Sequence, residues 1–96
     1  MRKSNTQAIG EVIHDYLKAL DIEGKLQEIR LVDSWPEVVG SAIAKKTSRL
    51  HIKNKVLFVY LNSSVVRSEL LRIREGLVKA LNDRAGEKVI NEIVLR

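Results

Sequence analysis

No cysteine occurs among the 96 residues, so a disulfide framework, a cysteine-ligated zinc or iron–sulfur site and thiol catalysis are all excluded. A single proline and five scattered glycines leave no linker, repeat or low-complexity tract, and one domain over residues 1–96 is expected, with residues 1–5 flexible. No apolar run approaches the ~18 residues of a membrane-spanning helix. The basic start Met1-Arg2-Lys3 is not followed by the apolar core of a secretory signal. A cytoplasmic protein with no membrane partner is the expectation.

Catalytic patterns are also missing. The chain has no P-loop, no G-x-G-x-x-G and no H-E-x-x-H motif. His14 and His51 are the only histidines, and neither belongs to a metal-ligand pattern. Asp15 directly follows His14, and adjacent helix residues point in different directions. Asp15, Asp21 and Glu23 read as a solvated face. No two glycines are separated by two residues, so the G-x-x-G loop with which a KH domain clamps a nucleic-acid backbone is missing. The expectation is a protein that is not an enzyme and has no metal, no cofactor and no small-molecule substrate.

What is present is a core's worth of apolar residues, 45% of the chain, and an uneven charge. A chain of this size buries roughly 60–65% of its unfolded surface, enough for one modest core. Residues 45–74 hold eight bases and one acid, a net +7, whereas the rest holds nine bases and eleven acids, a net −2. Positive charge concentrated in one segment is the footprint expected for a phosphate-rich partner.

The periodicities predict an α+β chain. Ile9, Val12, Ile13, Tyr16, Leu17 and Leu20 repeat at helical spacing and predict a helix over residues 6–20. Residues 21–24 read as a break, followed by a second helix over 25–33. Ser34 with Glu37 has the form of a capping box, and Pro36 suits a first turn, so a third helix is predicted through 45, with Trp35 and Val39 in the core.

Alternation then predicts a hairpin. Leu50 and Ile52 alternate with Arg49, His51 and Lys53, a two-residue turn falls at Asn54-Lys55, and residues 56–61 are strongly β-prone. In that register Ile52 faces Leu57 and Leu50 faces Val59 on the core side, while His51 faces Phe58, Arg49 faces Tyr60 and Lys53 lies near Val56 on the other. Asn62-Ser63-Ser64 offers N-caps for a long helix over 64–85, with Val66, Leu70, Ile73, Leu77 and Leu81 as its buried stripe, Leu71 and Val78 widening it, and Gly86 as its stop. A last strand is predicted over 89–95. The economical architecture is a three-stranded sheet with helices packed on one face.

The candidate site is the basic–aromatic hairpin face together with the basic line of the long helix. Lys45, Lys46, Arg49, His51, Lys53, Lys55, Arg67, Arg72 and Arg74 are candidates for phosphate contact, which releases counterions and makes affinity salt-dependent. Phe58 and Tyr60 are candidates for stacking bases of a single strand.

Trp35-Pro36-Glu37-Val38-Val39-Gly40, then Ala42-Ile43-Ala44 and Thr47, resemble the opening motif of the DciA-like family. Val59-Tyr60-Leu61-Asn62-Ser63-Ser64 and Arg67-Ser68-Glu69-Leu70 are similar to its next block, and Leu81-Asn82, Gly86 and Ile93-Val94-Leu95-Arg96 to its close. Val66 stands where the family often has tryptophan, and without cysteine the zinc ribbon of some relatives cannot form. The chain is thus expected to be a short form lacking both tail and ribbon. The resemblance implies a KH-like fold in α-α-α-β-β-α-β order without the G-x-x-G loop, nucleic-acid binding, and action on the bacterial replicative helicase as loader or operator. DNA, single- or double-stranded, is the partner expected first. RNA binding and a protein-interaction module docking an acidic partner are the alternatives.

Overall fold

The computed structural model describes residues 12–13, 15–16 and 22–96. From residue 22 onward the elements are α1 (Ile22–Asp33), α2 (Trp35–Val39), α3 (Ser41–Lys45), β1 (Thr47–Lys53), β2 (Val56–Leu61), α4 (Ser64–Arg72), α5 (Arg74–Ala85) and β3 (Glu92–Leu95). The α+β class and the order of helices, hairpin, helical crossover and strand are as expected. The first helix predicted over 6–20 lies largely outside the described residues, as do residues 1–5. Within it Val12, Ile13, Asp15 and Tyr16 are helical and exposed.

The sheet order is β1-β2-β3, with β1 antiparallel and β3 parallel to β2. Arg49↔Tyr60, Leu50↔Val59, His51↔Phe58, Ile52↔Leu57 and Lys53↔Val56 pair as the alternation predicts. The turn sets this register. Asn54 (φ 53°) and Lys55 (φ 63°) are both left-handed, as a type I′ turn requires, and the twist of that turn matches the strands. The register slips between Thr47 and Arg49, where Ser48 Oγ donates to the Tyr60 carbonyl at 3.1 Å.

Parallel neighbours need a crossover, and α4 with α5 supplies it. The single helix predicted over 64–85 breaks at Ile73 (φ −113°, ψ 19°), whose N–H donates to the Leu70 carbonyl one residue short of helical spacing. The break turns Ile73 out to 53% exposure and leaves Leu71 exposed, while Leu70, Leu77 and Leu81 remain buried. Both ends match expectation: Ser63 Oγ accepts from the Val66 N–H, and Gly86 takes the left-handed φ of 88°.

Three other expectations are corrected. Ile22, Glu23 and Gly24 are already helical, so the predicted break at 21–24 does not extend past residue 21. Ser34 forms no capping box: its backbone is helical (φ −83°, ψ −6°) and its Oγ donates to the Leu31 carbonyl at 2.7 Å, closing α1 rather than opening α2. The helix predicted through 45 splits at Gly40, whose φ of 92° interrupts it.

Trp35, 2% exposed, is the core anchor predicted for it. Its Nε1 donates to Thr47 Oγ1, which donates to the Ile43 carbonyl, each at 3.0 Å, tying α2, α3 and β1 together. Leu31, Leu57, Val59, Leu70, Leu81 and Ile93 complete the centre of the core. The last strand is shorter than predicted because Asn82 holds the segment before it. Its Oδ1 accepts from the Val89 and Ile90 N–H groups at 2.9 and 3.0 Å, and its Nδ2 donates to the Ile90 carbonyl at 2.9 Å.

Candidate nucleic-acid interface

Alternation along β2 sends Leu57, Val59 and Leu61 into the core, and Val56, Phe58 and Tyr60 to the other face of the sheet. The described helices contribute their buried residues to the first face only: Leu31, Leu70, Leu77, Leu81 and Ala85 all belong to the core that holds Leu57 and Val59. The second face is left to Arg49, His51, Phe58, Tyr60 and their neighbours from β3.

On that face the register builds a continuous row. The Arg49 guanidinium lies over the Tyr60 ring, 5.5 Å from its centroid. His51 stacks on Phe58 (5.0 Å, 16° between planes) and on Tyr60 (5.8 Å, 23°). The Arg96 guanidinium lies over Phe58 at 5.7 Å. His51 Nδ1 is shielded and makes no hydrogen bond among the described residues, so the ring is held by its stacking contacts and not through that nitrogen. The backbone of Arg96 is fixed, its N–H donating to the Val59 carbonyl at 2.8 Å and its carbonyl accepting from the Leu61 N–H at 3.1 Å. A cation over an exposed ring contributes about 0.5–1 kcal/mol. Each arginine is thereby partly oriented while the residue remains exposed.

The opposite end of the face differs. Val56 lies between Lys53 and Glu92, so a carboxylate sits in the row that holds Lys53. The positive end of the face is the one with Arg49 and Arg96. Two contributors were therefore missed in the sequence, Arg96 and Glu92. Both reach the face through the parallel β2–β3 pairing, which no short-range pattern signals.

The remaining candidates are placed as follows. Lys45 and Lys46 are exposed at the α3–β1 junction, where the Lys46 carbonyl accepts from the Asn62 N–H at 2.8 Å. Lys53 and Lys55 are exposed beside and within the hairpin turn. Arg67, Arg72 and Arg74 belong to the helical layer that covers the core face, so they form a second basic set rather than an extension of the hairpin face. The break at Ile73 places Arg67 and Arg74 on different helices. Arg72 and Arg74 are exposed, whereas Arg67 is half-buried with its Nε shielded.

As a chemical surface, the row presents guanidinium groups to phosphate and ring edges to bases. Because each of Phe58 and Tyr60 already has an arginine over it, a base stacking on that side must displace the arginine. Phosphate contact needs no such displacement. Among the described residues no cluster of His, Asp and Glu has metal-site geometry, and no helix is long and apolar enough to cross a membrane.

Comparison with known proteins gives one finding. The family model described as "Dna[CI] antecedent, DciA" matches residues 8–95 of the chain. No curated protein and no solved structure matches it.

Proposed function

The chain belongs to the DciA family, which is associated with DNA replication and helicase loading, and from that premise we propose that it is a cytoplasmic nucleic-acid-binding accessory protein that assists the replicative helicase. The observation carrying this reading is the Arg49–Tyr60–His51–Phe58–Arg96 row on a sheet face that no described helix covers. Arg49 and Arg96 neutralise phosphates, the aromatic row sets their spacing, and Lys45, Lys46, Lys53 and Lys55 add to the attraction from the flanks. Affinity comes mainly from counterion release and carries little sequence choice.

Fluorescence anisotropy with labelled single- and double-stranded DNA over a salt series tests this. The wild type binds at about 50 mM salt, and affinity falls steeply as salt rises. Arg49→Glu/Arg96→Glu, with an unchanged circular-dichroism spectrum, loses most of that affinity and flattens the single-strand salt slope by about 0.7 per phosphate contact removed. An Arg72→Glu/Arg74→Glu variant on the helical layer changes binding much less. Equal losses in the two variants would move the interface off the sheet face. No wild-type binding at low salt would remove nucleic acid as the partner and leave the reading of a module that docks an acidic protein surface. Loading of the replicative helicase onto single-stranded DNA, with wild type against the Arg49/Arg96 variant, tests the helicase role.

A further inference from the structure

Among the described residues β1 is an outer strand, and its far edge pairs with no other strand. In a hairpin with a two-residue turn, the pair flanking the turn exchanges both hydrogen bonds, and bonded and non-bonded pairs alternate from there. Lys53↔Val56, His51↔Phe58 and Arg49↔Tyr60 are then the bonded pairs, and the N–H and C=O groups of Leu50 and Ile52 point outward from the sheet. A groove follows this edge. It holds two cavities, of about 270 and 430 Å³, which share Val32 and Asp33 in their lining. Ile29 and Ile52 line the smaller, Trp35 and Leu50 the larger. On the α1 wall an exposed stripe of Ile22, Leu26 and Ile29 continues the apolar surface.

Unpaired strand-edge groups beside an apolar helix wall are what an extended peptide needs to add itself as a further strand. Main-chain hydrogen bonds then supply affinity, and pockets for alternate side chains supply selection. Here both faces of such a strand have a stated complement. Side chains on the core side meet the two cavities beside Leu50 and Ile52. Those on the other side meet Arg49 and Lys53. Residues 45–55 carry five bases and no acid, so the edge of a second copy would bring like charge against like charge. A DNA backbone offers acceptors only and leaves the outward N–H and C=O alternation half unanswered.

We infer that the β1 edge is a docking site for an extended peptide of another protein in which apolar, β-branched residues alternate with Asp or Glu. The peptide adds as a fourth strand, with its apolar side chains in the groove and its carboxylates along Arg49 and Lys53. This site shares Arg49 with the Arg49–Arg96 row, but its strand-edge groups and its groove lie outside that row, and it stands whether or not the row binds nucleic acid.

The test is a library of random short peptides displayed on phage and panned against the full chain, followed by amide hydrogen exchange with an enriched peptide. Enrichment of Val, Ile or Thr alternating with Asp or Glu is expected. The amides of Leu50 and Ile52 exchange freely in the free protein and become protected by the peptide, while those of Arg49, His51 and Lys53, already in the hairpin ladder, change little. Ile52→Pro removes one outward N–H without removing a ladder bond, and should weaken the peptide roughly tenfold more than Ile52→Ala does. Retained protection at His51 and Lys53 verifies that the proline variant is folded. Five results overturn the inference: no enrichment; a peptide that binds without protecting Leu50 and Ile52; protection already present in the dilute free chain, which assigns the edge to this chain's own residues; protection that rises with protein concentration alone, which assigns it to a second copy; and protection by single-stranded DNA instead of peptide.

Discussion

The two faces of the sheet are written in the same strands, one residue apart, and are held by different forces. On the core face Leu57, Val59 and Ile93 are excluded from solvent against helices drawn from both sides of the hairpin in sequence. On the other face Phe58, Tyr60 and His51 hold each other through ring contacts and are flanked by guanidinium groups. The first face consumes its side chains in making the fold. The second is left with charged and aromatic groups that the core does not need, and these are free to be spent on a ligand. A shift of one residue in the hairpin would exchange the two sets, so the type I′ turn at Asn54-Lys55 protects the fold and the candidate interface together.

Four substitutions sharpen this contrast, each read by urea denaturation followed by circular dichroism. Leu57→Ala, on the core face, is expected to destabilise by about 2–5 kcal/mol through lost burial and the cavity left behind. Asn82→Ala leaves the Val89 and Ile90 N–H groups without their acceptor and should cost about 2–3 kcal/mol, with exchange of those two amides accelerated. Phe58→Ala, the next residue along from Leu57, removes a half-buried ring stacked on His51 and should cost about 1 kcal/mol. A Phe58 effect as large as that of Leu57 would show that the second face is structural after all. Lys55→Gly should act in the opposite direction. It relieves a left-handed non-glycine residue and is expected to stabilise by about 0.5 kcal/mol, while the lost flanking charge weakens DNA binding far less than Arg49→Glu/Arg96→Glu does.

The parts of this fold legible in the sequence are those coded by near neighbours. The hairpin register follows from strict alternation around a two-residue turn, the burial of Trp35 from its place in an apolar helix start, and the stop at Gly86 from glycine's tolerance of positive φ. What was not legible depends on longer-range choices. Residues 64–85 have an apolar stripe that an unbroken helix would satisfy equally well. The break at Ile73 is adopted where the crossover must carry the chain from the end of β2 to the start of a parallel β3. Ser34 and Glu37 fit the spacing of a capping box, but the chain passes from α1 into α2 with hardly an interruption, so Ser34 has a carbonyl of the preceding turn to bond instead. In the candidate site, Arg49, His51, Phe58 and Tyr60 could be grouped from the hairpin alone. Arg96 could not, since its place depends on a strand partner more than thirty residues away in the chain.

The chain has one tryptophan, and its position makes it an optical reporter with a built-in sense of direction. Trp35 lies in the wall of the larger cavity beside β1, with its indole N–H bonded to Thr47, on the opposite side of the sheet from the arginine–aromatic row. A ligand seated along the strand edge changes the polarity and quenching around that indole, and its emission shifts. A ligand held toward Phe58 and Arg96, away from that cavity, leaves the indole's surroundings as they were. Intrinsic fluorescence of the unlabelled, unmutated protein therefore distinguishes occupation of one side of the sheet from occupation of the other in a single titration.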